Sequence, residues 1–254
     1  APFEAQRKWT TRFMSEFGFQ SFPELATIET FTEPEDRNLS SYVMDFHQRS
    51  DPANKTILAY IADWFLMPKD LPSTCILSQI NQGLCIEYAT EHLRRLQPRN
   101  MGVLYWQLND LWPAPTWSSI DVFNRWKALH YMARRFNEPV HVSILENTAQ
   151  QTAALHVSNQ SADDVELTLH WQAVTTSGEQ IAKGSKSGRI ARQTDNCLLE
   201  LDCAPYVEKA GGTRHCLLFA QIDFPGSLGH AVCSFVKPKH LSLQDPQLTF
   251  SSQA

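Results

Sequence analysis

The sequence lacks most of the marks that announce a particular chemistry. It contains no GxSxG, P-loop, GxGxxG or HExxH, which removes the best-marked serine hydrolases, nucleotide binders and zinc proteases. Its six cysteines, at 75, 85, 197, 203, 216 and 233, form no CxxC and no Cys/His spacing of a zinc site. No metal and no organic cofactor is therefore expected. Positive charge is also scarce: 22 Lys and Arg against 27 Asp and Glu leave a net charge of −5. With no basic cluster along any one element, a nucleic-acid partner is not expected. The most apolar stretch, residues 56–67, carries Asp63 and is too short to span a bilayer, so no membrane partner is expected either. Ala1 stands first, with no charged-then-apolar leader after it, and reads as a processing site or a break in a longer sequence.

What is present is enough for a folded protein of one to two domains: 254 residues, 43% hydrophobic and 11% aromatic. Residues 1–137 mix strands and helices. Arg12–Phe17 reads as a short strand. Met101–Leu108 is a nearly unbroken apolar and aromatic run, the pattern of a strand buried on both faces of a parallel sheet. Three helices are expected between them. Ser40–Arg49 places Val43 and Phe46 on one face, and Lys55–Leu66 follows an Asp51-Pro52 turn. The third runs from Cys75 to Leu96, capped by Ser73-Thr74, with Ile76, Ile80, Leu84 and Tyr88 as its apolar side. It would hold Cys75 and Cys85 about 15 Å apart, too far to pair. Arg94-Arg95 and Arg134-Arg135 read as exposed helix faces, and His47, His92 and His130 as packing or surface residues. A last helix over Trp126–Phe136 puts Trp126, Leu129 and Ala133 on one stripe.

From Val140 the period drops to two. Val142–Ile144, Ala154–Val157, Val165–Ala173, Cys197–Leu201, Cys216–Ile222 and Ala231–Val236 read as short strands divided by turns, the mark of an immunoglobulin-like β-sandwich. Trp171 is its expected core tryptophan, and Cys216 and Cys233 lie in neighbouring strands where they could pair. The domains read as 1–137, 138–237 and a tail, or the start of a further β domain, over 238–254. Three N-x-S/T sequons, at Asn38, Asn54 and Asn159, slightly exceed chance and point towards a secreted glycoprotein.

Two strand ends carry the candidate chemistry. Glu16 ends the first strand and is followed at once by Phe17-Gly18. A carboxylate there is costly unless used, and catalytic residues of α/β barrels sit at that end of their strands. The second is Tyr105-Trp106-Gln107-Leu108-Asn109-Asp110-Leu111-Trp112. Indole faces with amides and an acid beside them suit a sugar ring, whose C–H face stacks while its hydroxyls find polar partners.

These segments resemble the β-mannosidases of glycoside hydrolase family two. RFMSEFGFQSFPEL is similar to their nucleophile segment, and GVLYWQLNDLWPAPTWSSIDVFNRWKALHYMARRF to their last barrel strand and helix. The likeness runs over residues 9–140; residues 141–237 fit the following immunoglobulin-like domain by pattern and position. The resemblance implies an α/β plus all-β chain, the last two units of a (β/α)8 barrel followed by a sandwich. It implies retaining exo-hydrolysis of terminal β-D-mannose, with Glu16 as nucleophile. It also implies Trp106 as the floor of the sugar subsite, ahead of a cis peptide to Gln107, with Asn109, Asp110 and Trp112 lining or supporting the site.

The family's second carboxylate, the acid/base of an Asn-Glu pair, has no counterpart here; Asn137-Glu138 follows the last helix, at the wrong end of the chain. A whole barrel takes about 250 residues. The chain is thus expected to be inactive alone, its partners a β-mannoside oligosaccharide and the missing N-terminal part of the same enzyme, its location lysosomal or secreted. Two other readings stay open: a non-catalytic carbohydrate-binding module using Trp106, Trp112 and Trp117, and a sister β-galactosidase or β-glucuronidase.

Overall fold

The computed structural model describes residues 3–50, 53–227, 229–249 and 251; Ala1 and the Asp51-Pro52 turn lie outside them. Two short strands, β1 (Met14–Phe17) and β2 (Val103–Tyr105), pair in parallel. Helices α1 (Leu25–Ile28), α2 (Tyr42–His47), α3 (Ala53–Trp64) and α4 (Leu71–Arg95) lie between the two strands in sequence, and α5 (Ala128–Phe136) follows β2. Ile86 of α4 and Leu129, Ala133 and Phe136 of α5 form a buried cluster against Phe17 and Tyr105, so these helices support the strands from below. Phe22, Ile28, Met44, Ile57, Ile61 and Cys75 make a second cluster joining α1 to α4. Each fully buried aliphatic side chain stabilises by roughly 1.5–3 kcal/mol relative to exposure.

Several expectations for this half need correction. Helix α4 begins a turn earlier than Cys75, because Asp70 rather than Ser73-Thr74 caps it, its carboxylate accepting Ser73 N at 2.8 Å. Its buried side is not the Ile76–Tyr88 row: Ile76 is exposed, while Cys75, Ser78, Gln79, Gln82, Cys85, Ile86 and Leu93 are buried. Polar groups win those positions because they have backbone partners in the neighbouring loops. In α2, Met44 is buried and Phe46 exposed, reversing the expected face. Arg94 and Arg95 are buried, not solvated. Strand β2 is not enclosed on both faces: Met101, Leu104, Trp106 and Leu108 are all about half exposed. Trp126 is likewise exposed, beyond the start of α5.

The second half is an immunoglobulin-like sandwich of two antiparallel sheets. One holds β3 (Val140–Asn147), β4 (Thr152–Asn159) and β7 (Thr194–Asp202). The other has the order β6 (Gln180–Ile190), β5 (Val165–Thr175), β8 (Cys216–Asp223), β9 (His230–Ser234). Alternate residues such as Val142, Leu155, Val157, Leu169 and Leu218 fill its core. Strand β6 escaped the sequence reading because AKGSKSGR lacks an apolar face. The short helix α6 (Ala204–Lys209) escaped it too. Trp171 is only half-buried: its ring is tilted against Tyr206 with centroids 5.6 Å apart, packs across Gly184 of β6, and borders the core without filling it. Cys216 and Cys233 do lie on adjacent strands but remain free thiols, since Cys233 faces Leu218 across the ladder. After the short 3-10 turn Pro238–His240, the described tail to residue 249 has no helix or strand. No described helix is long and apolar enough to cross a membrane.

Candidate active site

The parallel pairing of β1 and β2 brings two sequence-distant strand ends together. Met101 N donates to Arg12 O at 3.0 Å, Met14 N to Gly102 O at 2.9 Å, and Trp106 N to Phe17 O at 2.7 Å. Glu16, exposed near the end of β1, and Trp106, about half exposed just past β2, therefore open on the same edge. The Trp106–Gln107 peptide is cis. Gly18 lies directly against this peptide: a Cβ there would collide with the Trp106 carbonyl oxygen and come 2.9 Å from Trp117 Cδ1.

The chain after Trp106 folds back on itself. Gln107 N donates to Trp117 O at 3.2 Å, Ser119 N to Gln107 O at 3.0 Å, Ile120 N to Leu108 O at 2.9 Å and Asp110 N to Ile120 O at 3.2 Å. Asp110 is buried within this loop. Its Oδ1 accepts Thr116 Oγ1 at 2.7 Å and its Oδ2 accepts Ser118 Oγ at 2.6 Å. Asn109 stays exposed, its amide reaching the Asp110 carbonyl at 3.4 Å. Asp110 thus braces the loop, while Asn109, Gln107 and Trp106 face outward. Trp112 joins an aromatic pile: the His47 ring lies between Phe31 at 3.9 Å and Trp112 at 4.5 Å, and the Arg49 guanidinium sits 4.4 Å over the Trp112 ring. His47 Nδ1 donates to Pro113 O at 2.6 Å, which fixes this arm of the loop to α2.

Three groups behind the site were not singled out in the sequence. Helix α4 presents Ser78, Gln79 and Gln82 to the loops. Gln82 Nε2 donates to Phe19 O at 2.8 Å and Trp117 O at 3.0 Å, and its Oε1 accepts Ser21 Oγ at 2.7 Å. Gln79 Oε1 accepts Ala128 N at 3.1 Å, and Ser78 Oγ accepts Phe22 N at 3.0 Å. The signal for them was a polar row on a helix with apolar flanks. The second is a chain from β2 to α5, in which Tyr105 Oη lies 3.0 Å from Ser119 Oγ, itself 3.1 Å from His130 Nδ1. Burial lowers the His130 pKa, favouring the neutral ring. The third is Lys127, fully buried beneath the loop.

Among the described residues no cluster of three or more His, Cys, Asp or Glu is arranged to hold a metal ion. The geometry offers one exposed carboxylate beside an exposed indole, both set on hydrogen-bonded strand ends, with amides at the rim. An indole face with a carboxylate and amides around it is chemically suited to a polyol ring, whose C–H face stacks while its hydroxyls find polar partners.

Residues 151–240 match the family model described as Mannosidase Ig/CBM-like domain. The β-mannosidase of Capra hircus is 37% identical over 51% of this chain and 16% of its own length. β-Mannosidase A of Aspergillus fumigatus is 27% identical over 94% of this chain and 30% of its own. Among solved structures, the β-D-mannosidase of Dictyoglomus thermophilum superposes with a TM-score of 0.87 at 26% identity, covering 96% of this chain and 30% of that one. The chain therefore spans less than a third of the length of these relatives. Together these likenesses support its resemblance to the C-terminal portion of a β-mannosidase of glycoside hydrolase family two.

Proposed function

Proceeding from that likeness to the C-terminal portion of a family-two β-mannosidase, we propose that this chain supplies the nucleophile side of a retaining exo-β-mannosidase site. The observation that carries the reading is the juxtaposition of Glu16 and Trp106 on the ends of two paired parallel strands. Trp106 stacks under the terminal mannose, Asn109 and Gln107 lie at its rim, and Asp110 and Trp112 hold the loop that presents them. The Glu16 carboxylate attacks the anomeric carbon as the bond to the leaving oxygen breaks, giving a glycosyl-enzyme ester that water then hydrolyses. The proton for the leaving oxygen comes from a second carboxyl, which a retaining site holds about 5–5.5 Å from the first. That group belongs to segments outside this chain.

The two strands are, in this reading, the last two of a (β/α)8 barrel. Parallel sheets are normally covered on both faces, and the exposure of Phe13, Met101 and Leu104 supports neighbours that the complete enzyme provides. Domain limits of 1–137 and 138–237 with a following tail, and a lysosomal or secreted location, go with it. A pure binding module is less well supported, because Trp112 is taken up by His47 and Arg49 and does not join Trp106 in a flat platform.

The test is covalent trapping in the complete enzyme. A fluorinated mannosyl donor should label Glu16, and Glu16→Gln should abolish hydrolysis of an aryl β-mannoside while the protein stays folded. Near-normal turnover by that variant would sink the assignment. Robust activity of the 254-residue chain alone would sink the proposed need for outside segments.

A further inference from the structure

One carbonyl joins the two halves of the site. Thr116 O accepts Ser21 N at 2.9 Å, and Ser21 O accepts Thr116 N at 3.1 Å. Ser21 lies in the segment that leaves β1 after Glu16, and Thr116 in the loop that leaves β2 after Trp106. The same Thr116 O receives the Lys127 ammonium at 3.4 Å. The Thr116 hydroxyl is held by Asp110, and Lys127 N donates to Ser119 O at 2.9 Å. Lys127 therefore reaches the loop twice, once through its backbone and once through its side chain.

The surroundings are unusual for a lysine. Its residue is 0% exposed, a state lysine rarely occupies unless its charge is balanced. The acidic groups that act on it come from several elements: Asp110 and Asp121 from the loop, Glu24 from just before α1 and, more weakly, the Cys75 thiol of α4. The two loop carboxylates already accept other donors. Asp110 takes the Thr116 and Ser118 hydroxyls. Asp121 takes Phe123 N and Arg125 N, both at 2.8 Å, and the Thr27 hydroxyl. The Arg125 guanidinium, partly exposed, also pairs with Asp121 at 3.7 Å, and Lys127 is the fully buried cation among these acids. Replacing Lys127 would remove the buried positive charge from beside these carboxylates and one donor from Thr116 O.

We propose that Lys127 is a positioning residue for the site: its buried ammonium, acting on Thr116 and the surrounding carboxylates, sets the placement of Trp106 relative to Glu16. The inference rests on the glycosidase reading for its consequence in catalysis, but not for its structural content. Burial pulls the Lys127 pKa down to about 8, against the pull of Asp110, Asp121 and Glu24. The ammonium therefore loses its proton in mildly alkaline solution. The folded state then binds fewer protons than the unfolded chain between pH 8 and the ordinary lysine range. By linkage this one group makes the fold more stable, not less, as pH rises there. A site that loosens while the fold does not is the signature of this arrangement.

The experiment uses the 254-residue chain labelled with 5-fluorotryptophan, the Trp106 resonance being assigned with Trp106→Phe. In the unsubstituted chain that resonance should move with a midpoint near pH 8, while Trp171, far off in the sandwich, stays still and the melting temperature does not fall. In Lys127→Met the Trp106 resonance should be displaced already at pH 7 and should no longer titrate. An unmoving Trp106 signal between pH 7 and 9 in the unsubstituted chain would overturn the proposal, with no need for any variant to fold. So would equal movement of Trp171. In the complete enzyme, Lys127→Met should cut kcat for an aryl β-mannoside at least tenfold with a smaller change in KM. Absence of mannoside turnover in the unsubstituted complete enzyme would count against the glycosidase reading and leave the fluorine result to decide on Lys127.

Discussion

Gly18 and Trp106 touch through their backbones: the Gly18 Cα faces the Trp106 carbonyl oxygen so closely that no Cβ fits between them. This contact lets the Glu16-bearing strand and the indole-bearing strand end side by side. A backbone carbonyl cannot rotate away as a side chain can, so Gly18→Ala must shift one of the two strands. We expect a loss of about 1–3 kcal/mol from overpacking, seen as a lower melting temperature. A displaced Trp106 signal should accompany it. An alanine variant that matches the parent in both respects would show that the strand ends are free to separate.

Arg94 joins the two halves of the molecule. It is 2% exposed, with Nη1 donating to Phe136 O at 2.9 Å and Nη2 to Glu138 O at 2.8 Å, where α5 hands over to β3. Burial lowers its pKa to about 10, so it stays charged at neutral pH. Arg94→Met takes the donor from the buried Phe136 carbonyl and from the part-buried Glu138 carbonyl, the buried one alone costing roughly 1–3 kcal/mol. Thermal unfolding should move down by several degrees, and Arg94→Lys should recover only part of it, because one ammonium cannot serve both carbonyls as the planar fork does. Full recovery by lysine would point to charge alone.

Glu87 gives the fold a pH dependence. Burial, reinforced by the neighbouring Glu91, raises its pKa to about 7 despite the Arg135 guanidinium at 2.6 Å. The folded state therefore holds a proton that the unfolded chain has released above about 4.5. Stability from this group is greatest in acid and declines as pH rises towards 7. Glu87→Gln removes that decline, so the melting temperature of the variant minus that of the parent should increase between pH 4.5 and 7. Parallel curves across that window would refute it.

The three sequons differ in the structure. Asn159 is fully buried, its amide donating to Asp163 O at 2.8 Å and its carbonyl accepting Ser161 N at 2.9 Å. The amide nitrogen of Asn54 is enclosed as well, and only Asn38 is exposed. When the protein is made through a secretory route, a glycan should be found at Asn38 and none at Asn159. Peptide mapping after enzymatic deglycosylation in heavy-oxygen water reads this directly, and a labelled Asp at 159 would contradict it.

Residues with unusual local demands were legible without coordinates. Glu16-Phe17-Gly18 and the WQLND run stood out by residue type and spacing, although Glu16 lies exposed at its strand end, where a carboxylate carries no burial cost. The sandwich strands with alternating apolar residues were equally plain. Helix α4 was legible as a helix but not in its orientation, because its buried face is polar: Ser78, Gln79 and Gln82 are inside only by virtue of carbonyls and amides on distant loops. Strand β6 was invisible for a related reason: only Ile181, Ala182 and Ile190 towards its ends meet the apolar core, while its middle packs Gly184 against Trp171 and Gly188 against Leu198.

The sequence alone thus determined which side chains are candidates for the chemistry and the period of most of the main elements, since both follow from residue type and spacing. The tertiary structure alone decided which of those residues meet, and which buried groups hold them. Ser21 and Thr116 are 95 positions apart, and the pair they make, with Lys127 beneath it, exists only once β1 and β2 are side by side. No local pattern encodes that pairing. It comes from the packing of α4 and α5 under both strands, which satisfies buried polar groups that each segment by itself would leave open.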